Sequence, residues 1–141
     1  MPDDAKKPAD AENEGPLDID AALLELRRKD PRYSSDAYKF AFEALDYTLR
    51  KYLKLETPRH VSGPELCEGM RRLALEQFGF MAYDVWTSWG VRSTLDLGQL
   101  IFNLVEAKLL RATEEDKLED FKDCFDIKKG LVEGFKFSEE E

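Results

Sequence analysis

This chain of 141 residues has few of the side chains from which catalytic and metal sites are usually built. It contains two cysteines, Cys67 and Cys124, and a single histidine, His60. Two cysteines are too few for a disulfide framework, and one histidine does not complete a structural zinc site with them. This low cysteine content is typical of a reduced, cytoplasmic setting. Because His60 lies just before a helix start, we expect it to fix the entry into that helix rather than to serve a catalytic triad or dyad.

The glycines and the apolar residues are also placed in a way that excludes several classes of protein. The eight glycines are scattered, and they form neither G-x-G-x-x-G nor G-x-x-x-x-G-K, so no phosphate-binding loop is predicted. No apolar run reaches the roughly 18–20 residues that span a bilayer. Residues 1–16 lack the apolar core of a secretory signal. We therefore expect a cytoplasmic protein that is not an enzyme and uses neither cofactor nor metal.

Two further sets of residues have an ordinary structural interpretation. Cys67 falls at an apolar helix position, where a small buried side chain is more common than a nucleophile. Carboxylates are dense between residues 114 and 120, but they lack the glycine and ligand spacing of an EF-hand. We expect them to be solvated charges.

The acidic residues are concentrated at the two ends of the chain. The net charge is −9 overall, with −4 in residues 1–31, +1 in residues 32–112 and −6 in residues 113–141. Acidic ends disfavour a nearby polyanion and favour solubility.

The apolar residues recur at helical spacing in most of the chain. Sixteen aromatic residues are enough for a real core. Capping signals at Ser34 or Ser35, Ser62 with Glu65, and Ser93 with Asp96 mark helix starts. The predicted organisation is a disordered acidic tail (1–16), a single mainly helical domain (17–137) and an acidic C-terminal tail (138–141). The predicted helices cover about 17–29, 35–54, 62–78, 81–89 and 94–108.

The order of the later elements suggests a winged helix. In that arrangement Leu66–Phe78, Met81–Trp89 and Thr94–Lys108 form a three-helix core, and the long helix from residue 35 is an addition. Leu109–Ala112 would pair with Phe121–Ile127 as a short β-hairpin. A helix over residues 113–127 remains the alternative, because Leu118, Phe121 and Phe125 also fit helical spacing.

Several strings together resemble a family of small bacterial proteins of unassigned activity. The resemblance covers roughly residues 30–127 and implies a bacterial, cytoplasmic, single-domain protein. It brings no activity, cofactor or catalytic residue. The strings are "DPRY" (30–33), "AYKFAFEALDYTL" (37–49), "RHVSGPEL" (59–66), "ALEQFG" (74–79), "WGVRSTLDLGQLIFNLVEAKLL" (89–110) and "EEDKLEDF" (114–121).

The first functional hypothesis is a non-catalytic protein-interaction or regulatory module on this scaffold. The helix from Thr94 carries few basic residues, whereas a DNA-reading helix usually needs several. We expect an outer polar surface to meet a protein partner, through the acidic C-terminal segment or through self-association that buries Trp86. The oligomeric state stays open. The candidate surface consists of Arg92, Gln99, Asn103, Glu106, Arg71 and Arg72.

The alternative hypothesis is a nucleic-acid-binding regulator. It requires five arginines to converge into one basic patch within the acidic shell. Those arginines are Arg50, Arg59, Arg71, Arg72 and Arg92.

Overall fold

The fold is mainly helical, as the sequence predicts. The computed structural model describes residues 18–57, 59–110 and 117–133, and these ranges contain no β-strand. The disordered tail predicted at 1–16 and the acidic tail predicted at 138–141 lie outside the described residues. The described α-helices are α1 (Ile19–Lys29), α2 (Ser35–Tyr47), α3 (Gly63–Phe78), α4 (Ala82–Ser88) and α5 (Thr94–Glu106).

Side-chain caps begin four of these helices. Asp18, Ser34 and Ser93 each accept a hydrogen bond from a backbone N–H in the first turn of α1, α2 and α5. Ser62 and Glu65 form the predicted capping box of α3, in which each side chain accepts from the other's backbone N–H. These caps satisfy amide groups that have no partner inside the helix, so the predicted helix starts are confirmed.

Short irregular turns connect and extend the helices. α2 continues as a π-helical turn, Thr48–Tyr52, and a 3₁₀ turn, Gly79–Met81, joins α3 to α4. A second 3₁₀ turn, Leu118–Phe121, and a π-helical turn, Lys129–Glu133, follow α5. No helix in the described ranges is both long enough and apolar enough to cross a membrane.

The predicted β-hairpin is not present in the described residues. Phe121 ends a 3₁₀ turn, and Asp123 has φ of 55°, a left-handed conformation outside the range of a regular strand. Leu109 and Leu110 lie in a turn after α5, and the remainder of the predicted first strand is outside the described residues. Residues 121–127 form no strand, and within the described residues 117–127 the predicted alternative helix is interrupted after Phe121.

Aromatic rings from four elements form the centre of the core. Trp86 of α4 is fully buried, and its ring lies 5.9 Å from that of Phe40 on α2 and 6.4 Å from that of Phe125. Phe40 also contacts Trp89 and Phe78, at 5.4 and 6.2 Å between ring centroids. Such ring pairs add stability beyond the area they bury.

The buried faces of α2 and α4 differ in part from the helical periodicity of the sequence. That periodicity places Met81 on the inner side of α4 with Val85 and Trp89, but Met81 is 45% exposed and Trp86 is fully buried. On α2 the periodicity places Phe42 on the main stripe and Phe40 off it, and it predicts a wide buried face. Phe40 is buried and Phe42 is half-buried, because α2 packs on both α3 and α5. Since Trp86 is already buried in the monomer, self-association is not needed to cover it.

The turn between α1 and α2 packs tightly against the turn between α4 and α5. The N–H of Ser34 donates to the carbonyl of Trp89 at 3.2 Å. Gly90 has φ of 99°, and a Cβ built there would lie 2.0 Å from the carbonyl oxygen of Arg32. Only glycine has both the backbone freedom and the small size that this contact requires.

A polar cluster links the same α1–α2 turn to α5. The Asn103 amide is buried, and its Nδ2 donates to Asp30 Oδ2 at 2.8 Å and to the Tyr38 hydroxyl at 3.0 Å. The Tyr33 hydroxyl donates to Asp96 Oδ1 at 2.5 Å. Arg32 forms a two-pronged ion pair with Asp30, at 2.8 and 2.7 Å. This cluster therefore fixes α1 and α2 against α5 with directional bonds.

The ion pair makes Asp30 a source of acid-dependent stability. Hydrogen bonding to Arg32 first, and then to Asn103, lowers the pKa of Asp30 from 3.8 to about 2, although its partial burial opposes the shift. A carboxyl whose pKa is lowered by folding stabilises the protein above its unfolded pKa. That stability is lost as the pH falls from about 4 to about 2.

We expect Asp30→Asn to reduce the loss of unfolding free energy between pH 5 and pH 2 by about 2 kcal/mol. Urea unfolding at pH 5 and at pH 2 measures this loss of unfolding free energy. An equal loss in the original chain and in Asp30→Asn would contradict the prediction.

The Gly90 contact predicts a large effect from adding one methyl group. We expect Gly90→Ala to lower the unfolding free energy by about 3 kcal/mol or more, because it imposes backbone strain and a clash with Arg32. Ser88→Ala, on the exposed end of α4, is the control and should change stability by no more than about 0.5 kcal/mol. Thermal and urea unfolding check both. Equal stability of the two variants would show that the two turns are not in close contact.

Candidate binding pocket

An apolar pocket opens between α2 and α5, and we call it the α2–α5 pocket. Its volume is about 180 Å³. Leu45 of α2 and Ile101, Phe102 and Val105 of α5 supply much of its wall, and Phe121 closes one side. An apolar cavity of about 150 Å³ can hold a benzene-sized group. The pocket therefore has room for a single ring or branched aliphatic group.

The wall at Phe121 depends on a glycine within α5. The ring of Phe121 meets that of Phe102 edge to face, with centroids 6.4 Å apart. A Cβ at Gly98 would lie 2.6 Å from Cγ of Phe121. Gly98 thus allows the 3₁₀ turn after α5 to lie directly on the helix. A glycine inside an apolar helix was the sequence signal for this close approach.

The polar groups of the pocket are engaged with each other. Arg59 Nη1 and Nη2 donate to the two carboxylate oxygens of Glu65 at 3.2 and 3.1 Å, and Nη1 also donates to the His60 carbonyl at 2.7 Å. Glu65 accepts the Ser62 N–H at 3.0 Å. The Arg59 bonds and then the Ser62 N–H lower the pKa of Glu65 to about 2. The Arg59–Glu65 pair therefore stays ionised and neutralises itself.

The described residues that line the pocket are mostly apolar. His60 lines the pocket, but no carboxylate or cysteine among the described residues lines it with His60. Within 18–57, 59–110 and 117–133, no group of three His, Cys, Asp or Glu side chains could hold a metal ion. The pocket therefore has an apolar wall, and the Arg59–Glu65 ion pair lies at one side of the pocket.

The residues predicted to form the candidate surface differ in their burial. Asn103, expected outside, is only 7% exposed and bonds to Asp30 and Tyr38. Gln99 donates to the Asn103 carbonyl at 3.0 Å and so supports the same cluster. Arg92 and Glu106 are exposed at opposite ends of α5, roughly 20 Å apart at 1.5 Å per residue. The expectation failed because a polar residue within an apolar stripe was assumed to face water.

Most of the predicted basic patch is neutralised by neighbouring carboxylates. Arg71 and Arg72 both bind Glu68, at 2.6 and 2.9 Å, and Arg72 also lies over the Tyr52 ring at 4.4 Å. Arg50 pairs with Asp46 at 2.8 Å, in a depression between α2 and α3. Arg59 lies in the α2–α5 pocket, whereas the exposed Arg92 borders a separate depression with Asp123 and Asp126. Arg50, Arg59 and Arg92 thus border three different depressions.

The α2–α5 pocket could not be predicted from the sequence because its wall combines distant segments. Helical periodicity places Ile101 and Val105 on one buried stripe of α5 with Leu97, Leu100 and Leu104, yet Ile101 and Val105 are only half-buried. Periodicity alone does not show which residues of the stripe remain open to solvent.

Comparison with known proteins gives no relative to guide the assignment. No protein-family model, curated protein or solved structure matches the chain. The pocket and the surface charges are therefore the observations that support a function.

Proposed function

We propose that this chain is a non-catalytic, cytoplasmic protein-interaction module whose partner inserts one apolar side chain into the α2–α5 pocket. The observation that carries the proposal is the pocket itself, which is apolar, open, and sized for one ring or branched aliphatic group. Buried apolar anchors of this kind supply much of the affinity of protein interfaces.

Charge indicates the chemistry around that anchor. Residues 113–141 carry a net charge of −6, and Glu119 and Asp120 are exposed beside Phe121 at the pocket wall. The Arg59 charge is already compensated by Glu65. We infer a partner segment with an aromatic or aliphatic anchor flanked by lysine or arginine, whose association weakens as salt is added.

Two features of the original scaffold hypothesis remain predictions. The winged-helix-like arrangement has support from the order of α3, α4 and α5, although residues 117–133 contain no wing strand. The bacterial origin is implied by the family resemblance alone.

The pocket hypothesis predicts position-dependent cross-linking. A photoreactive benzoylphenylalanine replacing Phe102 should cross-link one defined protein in cells, whereas the same group at Leu24, exposed on α1, should not. Filling the pocket by Val105→Trp should reduce direct binding of that protein at least about tenfold, because the anchor loses its site. Leu24→Trp is the matched control and should bind like the original chain.

Calorimetric titration with the purified partner measures the affinities. Circular dichroism and thermal unfolding establish that both tryptophan variants are folded. Equal cross-linking at the two positions, or equal affinity of a folded Val105→Trp chain, would overturn the pocket as the docking site.

The same proposal predicts weak or absent nucleic-acid binding. In a gel shift at low salt, the full chain should not retard a mixed-sequence duplex, because Arg50, Arg59, Arg71 and Arg72 each lie against a carboxylate. A salt-dependent shift that is lost in the double variant Arg71→Glu, Arg72→Glu would instead support the nucleic-acid hypothesis. The double variant Arg27→Glu, Arg28→Glu, on the exposed face of α1, is the charge-matched control.

A further inference from the structure

The fold brings the two cysteines of the chain together. Cys67 lies in the middle of α3 and is fully buried, whereas Cys124 follows the 3₁₀ turn after α5 and is half-buried. Cys67 belongs to the buried core, and Cys124 packs against that core. Burial chiefly, and then the charge of the Cys124 side chain, raise the pKa of the Cys67 thiol.

Cys124 is held by its own 3₁₀ turn and by α5. The Cys124 thiol donates to the Asp120 carbonyl at 3.4 Å, and the Cys124 N–H donates to the Thr94 hydroxyl at 3.1 Å. Thr94 is itself buried at the start of α5. These bonds fix the position of Cys124 in the folded chain.

One face of α3 contacts the same 3₁₀ turn. A Cβ at Gly63 would lie 2.9 Å from the Cβ of Asp120, so α3 and the 3₁₀ turn touch there. Positions 63 and 67 are one helical turn apart and share a face. Farther along both segments, Arg71 Nη1 donates to the Gly130 carbonyl at 3.3 Å. The chain from Asp120 to Gly130 therefore follows α3 from Gly63 to Arg71. Cys124 and Cys67 both lie between these two contacts.

We propose that Cys67 and Cys124 are a redox-active pair that closes into an intramolecular disulfide when the chain meets a low-molecular-weight disulfide such as oxidised glutathione. The proposal rests on the juxtaposition of the only two cysteines in the sequence and on the bonds that fix Cys124. It is independent of the partner proposed for the α2–α5 pocket.

Exposure sets the order of the two exchange steps. The accessible Cys124 loses its proton and attacks one sulfur of oxidised glutathione, which forms a mixed disulfide and releases one glutathione thiolate. Cys67 then loses its proton and attacks the Cys124 sulfur, which forms the Cys67–Cys124 bond and releases the second glutathione thiolate. The two protons are taken up by these thiolates, so two protein thiols are oxidised and one glutathione disulfide is reduced.

The structure also determines what the bond would change. The disulfide would tie the segment containing Phe121 to α3 and would restrict the unfolded chain by closing a long loop. We therefore expect the oxidised chain to have a higher melting temperature than the reduced chain. We also expect the second step to accelerate as the pH rises, because the thiolate is the attacking form and burial holds Cys67 as the thiol.

The test uses the full native chain in a buffer of mostly oxidised glutathione. Both free thiols should disappear, the intact mass should fall by two hydrogen atoms, and digestion should yield one cross-linked peptide pair containing Cys67 and Cys124. No disulfide-linked dimer should form at any protein concentration. Maleimide labelling, intact-mass measurement and non-reducing electrophoresis record these results.

A matched control keeps two thiols but separates them. In the variant Cys67→Ala, Leu24→Cys, the second thiol is on α1, and we expect glutathione adducts on both cysteines and no internal cross-link. The proposal fails if the native chain stops at a glutathione adduct on Cys124 with Cys67 still free. It also fails if the native chain forms disulfide-linked dimers, or if the control closes as readily as the native chain.

Discussion

The buried amide of Asn103 is the constraint on which the arrangement of the helices depends. It lies within the apolar face of α5, where an amide without hydrogen bonds would destabilise the fold. Its two N–H groups are used by Asp30 and Tyr38, and its carbonyl is used by Gln99. These bonds have fixed directions, so they set the position of the α1–α2 turn and of α2 against α5.

The α2–α5 pocket follows from that arrangement. α2 and α5 meet through the polar cluster near Tyr38 and through the apolar core, and the pocket is the space between them farther along α2. Phe121 covers one side, because Gly98 allows it to lie directly on α5. The pocket remains open because Ile101 and Val105 face a gap that no described side chain fills.

The surface charges act mainly on one another. Arg71 and Arg72 share Glu68, while Arg50 and Arg59 each have a carboxylate of their own. Exposed pairs of this kind contribute little to stability, but they reduce the positive field that a polyanion would need. Recognition of a partner through shape and apolar contact is therefore better supported by this surface than recognition through positive charge.

The sequence by itself determined the helical class and the starts of the helices, because capping and periodicity are local properties of the chain. Ser34, Ser62 and Ser93 cap the helices that they were expected to cap, and Gly79 ends α3 as predicted. Only the tertiary structure decided which polar residue is buried, which arginines are neutralised, and that Cys67 meets Cys124. Each of these depends on contacts between segments far apart in the chain, and periodicity along one helix carries no information about the groups that another segment brings to it.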